Sequence, residues 1–328
     1  MRLTVRRSLT GAALVLFSGC ERRPDNASTT VAPQEVVEKW TVRFDQQERF
    51  QEFGEMLLNG DRVLLLDEAD ATVTALSVQT GDSLWVRGKR GAGPGEFLAP
   101  DALVHGGVDR FGVADGGQGR LSFFSGSELD KSAAIPLEGQ LNSFCRETSG
   151  NTLAIRFGEM VLVRLRKDTN PEPIDSIRWP VPLYNEIIGL RQGRFARSRE
   201  GRCVVWQPIG DYFFEVRPSS SAVKQFSRYA ESLPTPKVDR SRGTPRLLSG
   251  PSAARDAAIF ADSLFLLRGS MYEGPGALID VYSLESGHRV KSLLLPNADA
   301  FQIYVTSGLL VVHRSTENGS VISAYVRP

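Results

Sequence analysis

The strongest indication of the fold lies in Gly88–Phe124, GKRGAGPGEFLAPDALVHGGVDRFGVADGGQGRLSFF. Its first part, GAGPG, predicts a shaped loop instead of a helix or strand, because glycine tolerates positive φ and proline fixes φ. Three short apolar runs follow, at 102–104, 111–114 and 121–124, and turns rich in Gly and Asp separate them. Such an alternation predicts the strands of one antiparallel sheet.

A glycine-rich loop can also cradle a phosphate group. No helical pattern follows GAGPG, and no Gly-Lys-Ser/Thr motif ends it. A connection between two sheets is therefore the favoured interpretation. Asp115 has a local role, because a carboxylate at that place in a turn can accept backbone N–H bonds from the residues after it.

Similar groups of short strand patterns recur along the chain at a spacing of about forty to fifty residues, which is typical of propeller blades. The units cover about 55–87, 97–136, 141–179, 187–227, 255–295 and 301–326. They predict an all-β, six-bladed β-propeller of four-stranded antiparallel blades. Seven blades remain an alternative if 228–254 contains strands, although its prolines, glycines and serines favour a long loop.

The last unit has three strand patterns where its neighbours have four. Residues 40–44 alternate like a strand and have no partner in the first blade. We expect this N-terminal strand to pair with 320–326 in the last blade, because closure removes an open sheet edge.

The Gly88–Phe124 unit resembles the NHL repeat, a pattern of a glycine-rich crossing, a proline, a Val-Ala-Asp strand and an aromatic-ended strand. The matching residues are Gly91, Gly93, Gly95, Glu96, Phe97, Pro100, Val113, Ala114, Asp115, Arg120 and Phe124. The match is partial in the other units. Membership of that family implies a propeller, commonly with six blades, that acts by binding.

The N-terminal residues have a pattern that is typical of an export signal. Basic residues precede an apolar run at 9–17, which is too short to span a bilayer, and Ser18-Gly19-Cys20 follows. This ending resembles the bacterial lipobox, with Cys20 as the lipidated residue and Phe17 in place of the usual Leu. An ordinary signal peptide with an unrelated cysteine is the alternative.

These patterns divide the chain into a signal peptide at 1–20, a polar, proline-containing tether at 21–37 and a propeller at 38–328. Lipidation of Cys20 would hold the propeller at a membrane of the bacterial cell envelope, on the periplasmic or outer-membrane side. The formal net charge is +1, with 39 Lys and Arg against 38 Asp and Glu, which gives no indication of a nucleic-acid partner.

The two remaining cysteines, Cys145 and Cys203, fall in neighbouring predicted blades. They allow a disulfide, and two separate buried thiols are the alternative. No metal site is expected from so few ligands. His105, His288 and His313 are placed at different ends of their strands and do not converge.

The loops that follow each second strand, together with the crossings between blades, are expected on one face of the ring. That face collects Lys89 and Arg90, the long-loop residues Lys237, Arg240, Arg242 and Arg246, and the second-strand ends Asp67, Asp115, Arg156, Gln207, Arg268 and His313. The sequence hypothesis is a ligand site for an anion on this basic face, with Lys89, Arg90, Asp115, Arg156, Arg268 and His313 as its residues. The alternative is a solvated rim with local turn hydrogen bonds.

No catalytic residues are predicted, because no Gly-x-Ser-x-Gly elbow occurs, and the absence of Cys-x-x-Cys-His leaves no indication of a cofactor. The favoured hypothesis is a non-enzymatic binding module for a small anionic ligand or an envelope protein, anchored through its lipid. The rivals are a propeller hydrolase or lyase acting on an exported substrate, and a scaffold subunit that makes contact through 228–254.

Overall fold

The computed structural model describes residues 4–6, 32–45, 53–107, 109–137, 141–147, 150–156, 161–166, 172–176, 194–198, 201–208, 212–216, 224–227, 237–239, 246–249, 254–268, 276–297, 299–316 and 319–328. Every regular element in these ranges is a β-strand. Accordingly, no described helix has the length and apolar character needed to cross a bilayer.

The first three blades are four-stranded antiparallel meanders that follow one another along the chain. Blade 1 contains β4 (Phe53–Asn59), β5 (Arg62–Asp67), β6 (Thr72–Ser77) and β7 (Ser83–Arg87). Blade 2 contains β8 (Pro100–Gly107), β9 (Arg110–Asp115), β10 (Arg120–Ser125) and β11 (Glu128–Pro136). Blade 3 contains β12 (Leu141–Arg146), β13 (Thr152–Arg156), β14 (Val161–Leu165) and β15 (Glu172–Ser176).

The second half of the ring repeats this plan with additions at the sheet edges. Blade 4 contains β16 (Arg194–Phe195), β18 (Cys203–Trp206), β19 (Tyr212–Val216) and β20 (Lys224–Ser227). Blade 5 contains β23 (Ala254–Phe260), β24 (Ser263–Arg268), β25 (Ala277–Ser283) and β26 (Arg289–Leu295), flanked by the parallel strands β17 (Arg197–Ser198) and β2 (Gln34–Glu35). Blade 6 contains β27 (Ala300–Val305), β28 (Leu309–Thr316), β29 (Gly319–Val326) and β3 (Val37–Asp45), with β1 (Thr4–Arg6) outside β3.

The sheets surround an axis because the first strands of successive blades lie against one another. β4 contacts β8, β8 contacts β12, β12 contacts β16, β23 contacts β27, and β27 returns to β4. β17 leads from blade 4 onto β23 of blade 5. The predicted six-bladed β-propeller is therefore confirmed.

The expected closure is also confirmed. β3 pairs with β29 in antiparallel register, with Val42 opposite Ile322 and Phe44 opposite Ser320. Trp40 of β3 is 2% exposed and donates from Nε1 to the carbonyl of Val78 in blade 1, 2.9 Å away. The closing strand therefore packs against both sides of the seam between blades 6 and 1.

Two segments that the sequence interpretation left without strands contain short ones. β2, at the end of the predicted tether 21–37, pairs with the outer edge of blade 5 and covers polar groups that this edge would otherwise expose. The long loop at 228–254 contains a strand pair, β21 (Lys237–Asp239) and β22 (Arg246–Ser249), which is too small to form a seventh blade.

Candidate functional site

A bulge near the start of the first strand recurs in five blades. In β4 it separates Phe53, which pairs with Asp67, from Glu55, which pairs with Leu66. The same shift lies at Pro100/Ala102, Leu141/Ser143, Ala254/Asp256 and Ala300/Gln302. Because bulges recur at rims and sites and redirect side chains, this repetition marks one equivalent position in each blade.

The residues that follow the bulge, together with the matching residue of blade 4, form what we name the channel ring. Its members, identified by their partners on the second strand, are Glu55, Ala102, Ser143, Arg194, Asp256 and Gln302. All six line one cavity of about 460 Å³. This cavity is the central channel of the propeller, since its wall takes residues from every blade.

Three members of the channel ring join neighbouring blades. In each case the side chain accepts a hydrogen bond from a backbone N–H on the first strand of the next blade. The pairs are Leu103 N to Glu55 Oε2 (2.5 Å), Phe195 N to Ser143 Oγ (2.8 Å) and Ile303 N to Asp256 Oδ2 (2.8 Å). Blades 1, 3 and 5 therefore provide acceptors for edge amides of blades 2, 4 and 6, which would otherwise lack a partner in a sheet.

The channel wall changes character along its length. Beyond the channel ring it is partly apolar, with Leu57, Ala196 and Tyr304. Farther on it carries His105, Arg146 and Ser198. We call the end with the crossings between blades the crossing face, and the end with the hairpins between first and second strands the hairpin face.

Asp101 stands at the bulge of β8 on the crossing face, and it lines the channel beside Glu55. Although it keeps contact with solvent, the surrounding protein removes part of its hydration, and Glu55 adds a second negative charge. These two effects, in that order of size, raise the pKa of Asp101 from 3.8 to about 7. Its carboxyl group therefore changes protonation near neutral pH.

Arg194 provides a positive charge in the same cavity, on blade 4. Neither Arg194 nor Asp101 has a hydrogen bond or ion pair to the side chain of another described residue. The channel thus combines an uncommitted guanidinium with an uncommitted carboxyl group, which suits a ligand that carries groups of both polarities.

The predicted ligand residues of the crossing between blades 1 and 2 make structural contacts. Lys89 Nζ lies 2.9 Å from Glu96 Oε1. Arg90 donates to the carbonyls of Ala69 (2.8 Å) and Leu98 (2.9 Å), so it joins the crossing to the turn after β5. The GAGPG loop closes around Glu96, whose Oε2 accepts from the Gly93 amide at 2.8 Å.

Asp115 holds the same crossing from the other side. It is 1% exposed, and its Oδ2 accepts from Leu98 N at 2.8 Å. Its Oδ1 accepts from Ala99 N at 3.0 Å and from Gln118 N at 3.1 Å, the second of which is the local turn bond expected from the sequence.

Arg268 and Arg156 do end their second strands, as expected, but neither lines the channel cavity. Arg268 Nε lies 2.5 Å from Oδ2 of the buried Asp280, whose Oδ1 accepts from Ser292 Oγ at 2.6 Å. Arg268 is therefore committed to a buried network within blade 5.

His313 stands one residue before the position that the sequence phasing gave it. Arg314 pairs with Ala300 as Arg268 pairs with Ala254, so Arg314 is the equivalent of the other second-strand ends. A shift of one residue reverses the face of a strand side chain. His313 is accordingly buried, with Ser320 Oγ 3.1 Å from its Nε2.

The histidines occupy three separate environments: His105 lines the channel, His313 lies inside blade 6, and His288 is exposed before β26. The described residues contain no group of three or more potential metal ligands.

Cys145 and Cys203 are joined by a disulfide of 2.01 Å that links β12 of blade 3 to β18 of blade 4. Cys20 and the long-loop arginines at 240 and 242 lie outside the described residues.

The sequence reasoning missed the channel ring, although a signal for it exists. In four first strands a polar residue stands third, in FGE, LNS, ARD and AFQ. A polar residue at the same place in successive inner strands indicates a position that faces the channel.

No protein-family profile matches this chain, and no characterised protein matches it in sequence. Solved structures match its fold. A predicted exported protein of Bacteroides fragilis has a TM-score of 0.59 at 12% identity, over 89% of this chain and 94% of that one. A member of the DUF4221 family from Bacteroides vulgatus has a TM-score of 0.55 at 11% identity, over 88% and 97%.

A catalytically inactive virginiamycin B lyase from Staphylococcus aureus, determined with quinupristin, has a TM-score of 0.51 at 8% identity, over 99% of this chain and 100% of that one. At these identities the likeness establishes the propeller fold, which hosts binding proteins and enzymes alike.

Proposed function

We propose that this chain is a lipid-anchored binding protein of the bacterial cell envelope that holds a small polar ligand in its central channel. The basic N-terminus, the short apolar run and the Ser18-Gly19-Cys20 ending support export and anchoring through Cys20. The NHL-like unit at Gly88–Phe124 supports a binding role.

One observation supports the site: Asp101 and Arg194 are groups of opposite charge in the same cavity of about 460 Å³, and neither is paired with the side chain of another described residue. That volume lies in the range of small-molecule sites, which combine apolar walls with a few convergent polar groups. The ligand class is a small zwitterion, whose ammonium group pairs with Asp101 and whose carboxylate pairs with Arg194 in a bidentate contact.

The test uses thermal unfolding of the full-length protein with amino acids and short peptides as probes. A ligand at a hundred times its Kd stabilises the folded state by about 2.7 kcal/mol, so it raises the midpoint measurably. We expect Asp101→Asn and Arg194→Gln each to abolish this rise. Arg87→Gln is the matched control, because Arg87 is exposed on β7 and does not line the cavity.

A rise that persists in both channel variants contradicts the proposed site. A rise with uronic acids alone, abolished by Arg194→Gln and unaffected by Asp101→Asn, favours the anionic ligand class that the sequence suggested.

A propeller hydrolase or lyase is the second candidate, favoured by one observation. A carboxyl group with a pKa of about 7 in a channel can donate or accept a proton at neutral pH. Asp101 is then the acid–base group, with Glu55 beside it.

Quinupristin is the probe for this candidate, since the lyase with the same fold was determined with it. The full-length protein is incubated with quinupristin, with and without a chelator, and the mixture is analysed by mass spectrometry. A cleavage product that Asp101→Asn abolishes supports the enzyme, and unchanged quinupristin counts against this activity.

A further inference from the structure

A second cavity lies on the hairpin face, in a groove between blades 2 and 3, and measures about 330 Å³. Its wall includes the side chains of Arg110, Arg146 and Arg166, which come from three different strand ends. We name it the arginine groove. None of the ligand residues expected from the sequence lies in it.

Arg146 has no counter-charge among the residues that the structure describes. Its guanidinium has neither a hydrogen bond nor an ion pair with any described residue, although the side chain is partly buried. Partial burial is the larger cause that lowers the pKa of Arg146, and the positive charge of Arg110 lowers it further. A partly buried guanidinium without an acidic partner is energetically unfavourable, and a bound anion would compensate its charge.

Arg110 is fixed in place beside it. Its Nη2 lies 2.9 Å from Asp130 Oδ2, and its guanidinium carbon lies 4.7 Å from the centre of the Phe123 ring. Its Nε is buried and has no partner among the described residues. The orientation of Arg110 is therefore already determined, and its positive charge lies beside Arg146 on the wall of the groove.

Arg166 completes the wall. It pairs with Glu172 at 3.3 Å, and the same carboxylate lies 3.8 Å from Arg164, so one acid is shared by two arginines. The groove retains a net positive charge after these pairs are counted.

Gly150 leaves space beside Arg146. A Cβ at Gly150 would stand 3.5 Å from Arg146 Nη2, and the residue has a φ of +89°, which favours glycine. The turn is held by Gly150 N donating to the carbonyl of Glu147 at 2.9 Å. Gly150 therefore adds no side chain on this side of the Arg146 guanidinium.

We propose that the arginine groove binds a phosphate group, through Arg146 as the principal contact and Arg110 and Arg166 as flanking contacts. Three guanidinium groups from three sides match the several oxygens of a tetrahedral phosphate, and guanidinium forms bidentate contacts with this group. The phosphate belongs to a soluble phosphorylated molecule or to a lipid headgroup.

The first experiment is calorimetric titration of the full-length protein with inorganic phosphate and with glucose 6-phosphate, using acetate as the comparison anion. We expect Arg146→Gln to weaken phosphate binding about 10- to 100-fold, the equivalent of one or more charge-assisted hydrogen bonds. Arg146→Lys keeps the charge, loses the bidentate geometry, and is expected to be intermediate.

Arg87→Gln is the matched control, since it removes an equal charge from an exposed strand and should leave phosphate affinity unchanged. Asp101→Asn should also leave phosphate affinity unchanged, because Asp101 lines the channel and not the arginine groove, although Arg146 borders both cavities. Zwitterion binding is therefore tested with Asp101→Asn and phosphate binding with Arg146→Gln, so that each proposal can fail by itself.

Thermal unfolding distinguishes binding from a structural role. Without phosphate, Arg146→Gln should unfold at the same midpoint as the wild type or a higher one, because it removes an uncompensated charge. Phosphate should raise the midpoint of the wild type and leave that of the variant in place. Flotation with phosphatidylcholine vesicles, with and without phosphatidic acid, identifies a lipid source.

The proposal is overturned if the wild type does not bind phosphate, or if Arg146→Gln binds it with wild-type affinity. A large loss of stability in phosphate-free Arg146→Gln would also overturn it, because it would show that Arg146 serves the fold.

Discussion

The ends of the second strands and the channel ring both recur once in each blade, yet their polar side chains make different contacts. At the second-strand ends, Asp115 accepts three backbone N–H groups and Arg268 pairs with a buried aspartate. In the channel ring, Asp256 and Glu55 join adjacent blades at the wall of a cavity. Position along the strand alone therefore does not identify a ligand residue, because distance from the axis decides whether a side chain meets protein or channel.

The largest effect is expected at Arg268. Arg268→Gln leaves the carboxylate of Asp280, which is 1% exposed, without its closest positive partner. We expect the free energy of unfolding to fall by about 3–5 kcal/mol, as for one partner of a buried pair. Urea unfolding followed by circular dichroism measures it.

Arg289→Gln is the control, because Arg289 lies 3.7 Å from the same carboxylate and is 35% exposed. Arg289→Gln should lower the free energy of unfolding by about 1 kcal/mol or less. If Arg268→Gln keeps full stability and loses ligand binding instead, the structural role of the second-strand ends is contradicted. Those ends would then belong to the ligand site.

A smaller loss is expected at the channel ring. Asp256→Ala removes the acceptor of Ile303 N, and the unfolding free energy should fall by about 1–3 kcal/mol, the cost of a buried unsatisfied group. Asp256→Asn retains an acceptor oxygen at that place, so it should keep most of the unfolding free energy that Asp256→Ala loses. Equal losses in both variants would contradict the hydrogen-bond explanation and point to the charge.

The pH dependence of stability tests whether the protein raises the pKa of Asp101. Its pKa is about 7 in the folded protein against 3.8 for an ordinary aspartate, so between these values the folded state holds a proton that the unfolded state has lost. The contribution of Asp101 to stability therefore falls as the pH rises from about 4 to about 7.

We expect the urea midpoint of the wild type to decrease from about pH 5 to about pH 8 more than that of Asp101→Asn. Parallel pH profiles of the two proteins would show that Asp101 titrates as it does in water.

The smallest effect is expected at Lys89, which the sequence placed among the ligand residues. Its ion pair with Glu96 is largely exposed on the lysine side, and such surface pairs contribute little to stability. Lys89→Ala should leave both the unfolding midpoint and zwitterion binding in the channel unchanged. A loss of zwitterion binding without a loss of stability would show that the crossing between blades 1 and 2 belongs to the ligand site.

Local patterns were enough to predict the propeller. The Gly- and Asp-rich turns and the spacing of the apolar runs gave the order of strands in most blades, and a missing fourth strand in the last unit indicated the closure by β3. These features are local in sequence, or depend on one unpaired edge that must be covered.

The site was less predictable for a physical reason. Which side chains reach the channel depends on the bulge at the start of each first strand, and one extra residue reverses the face that a side chain occupies. His313 and Arg314 illustrate this, because their order in the sequence is plain and only the pairing with Ala300 and Gln302 shows which is equivalent to Arg268.

The sheets, their number and their closure could be predicted from the chain, since hydrophobic alternation and turn residues act over a few neighbouring positions. The folded structure was needed to show that Asp101 and Arg194 share a channel, and that Arg110, Arg146 and Arg166 share a groove. These groups meet because the blades close around an axis, and their charges act through space across residues that are distant in the chain.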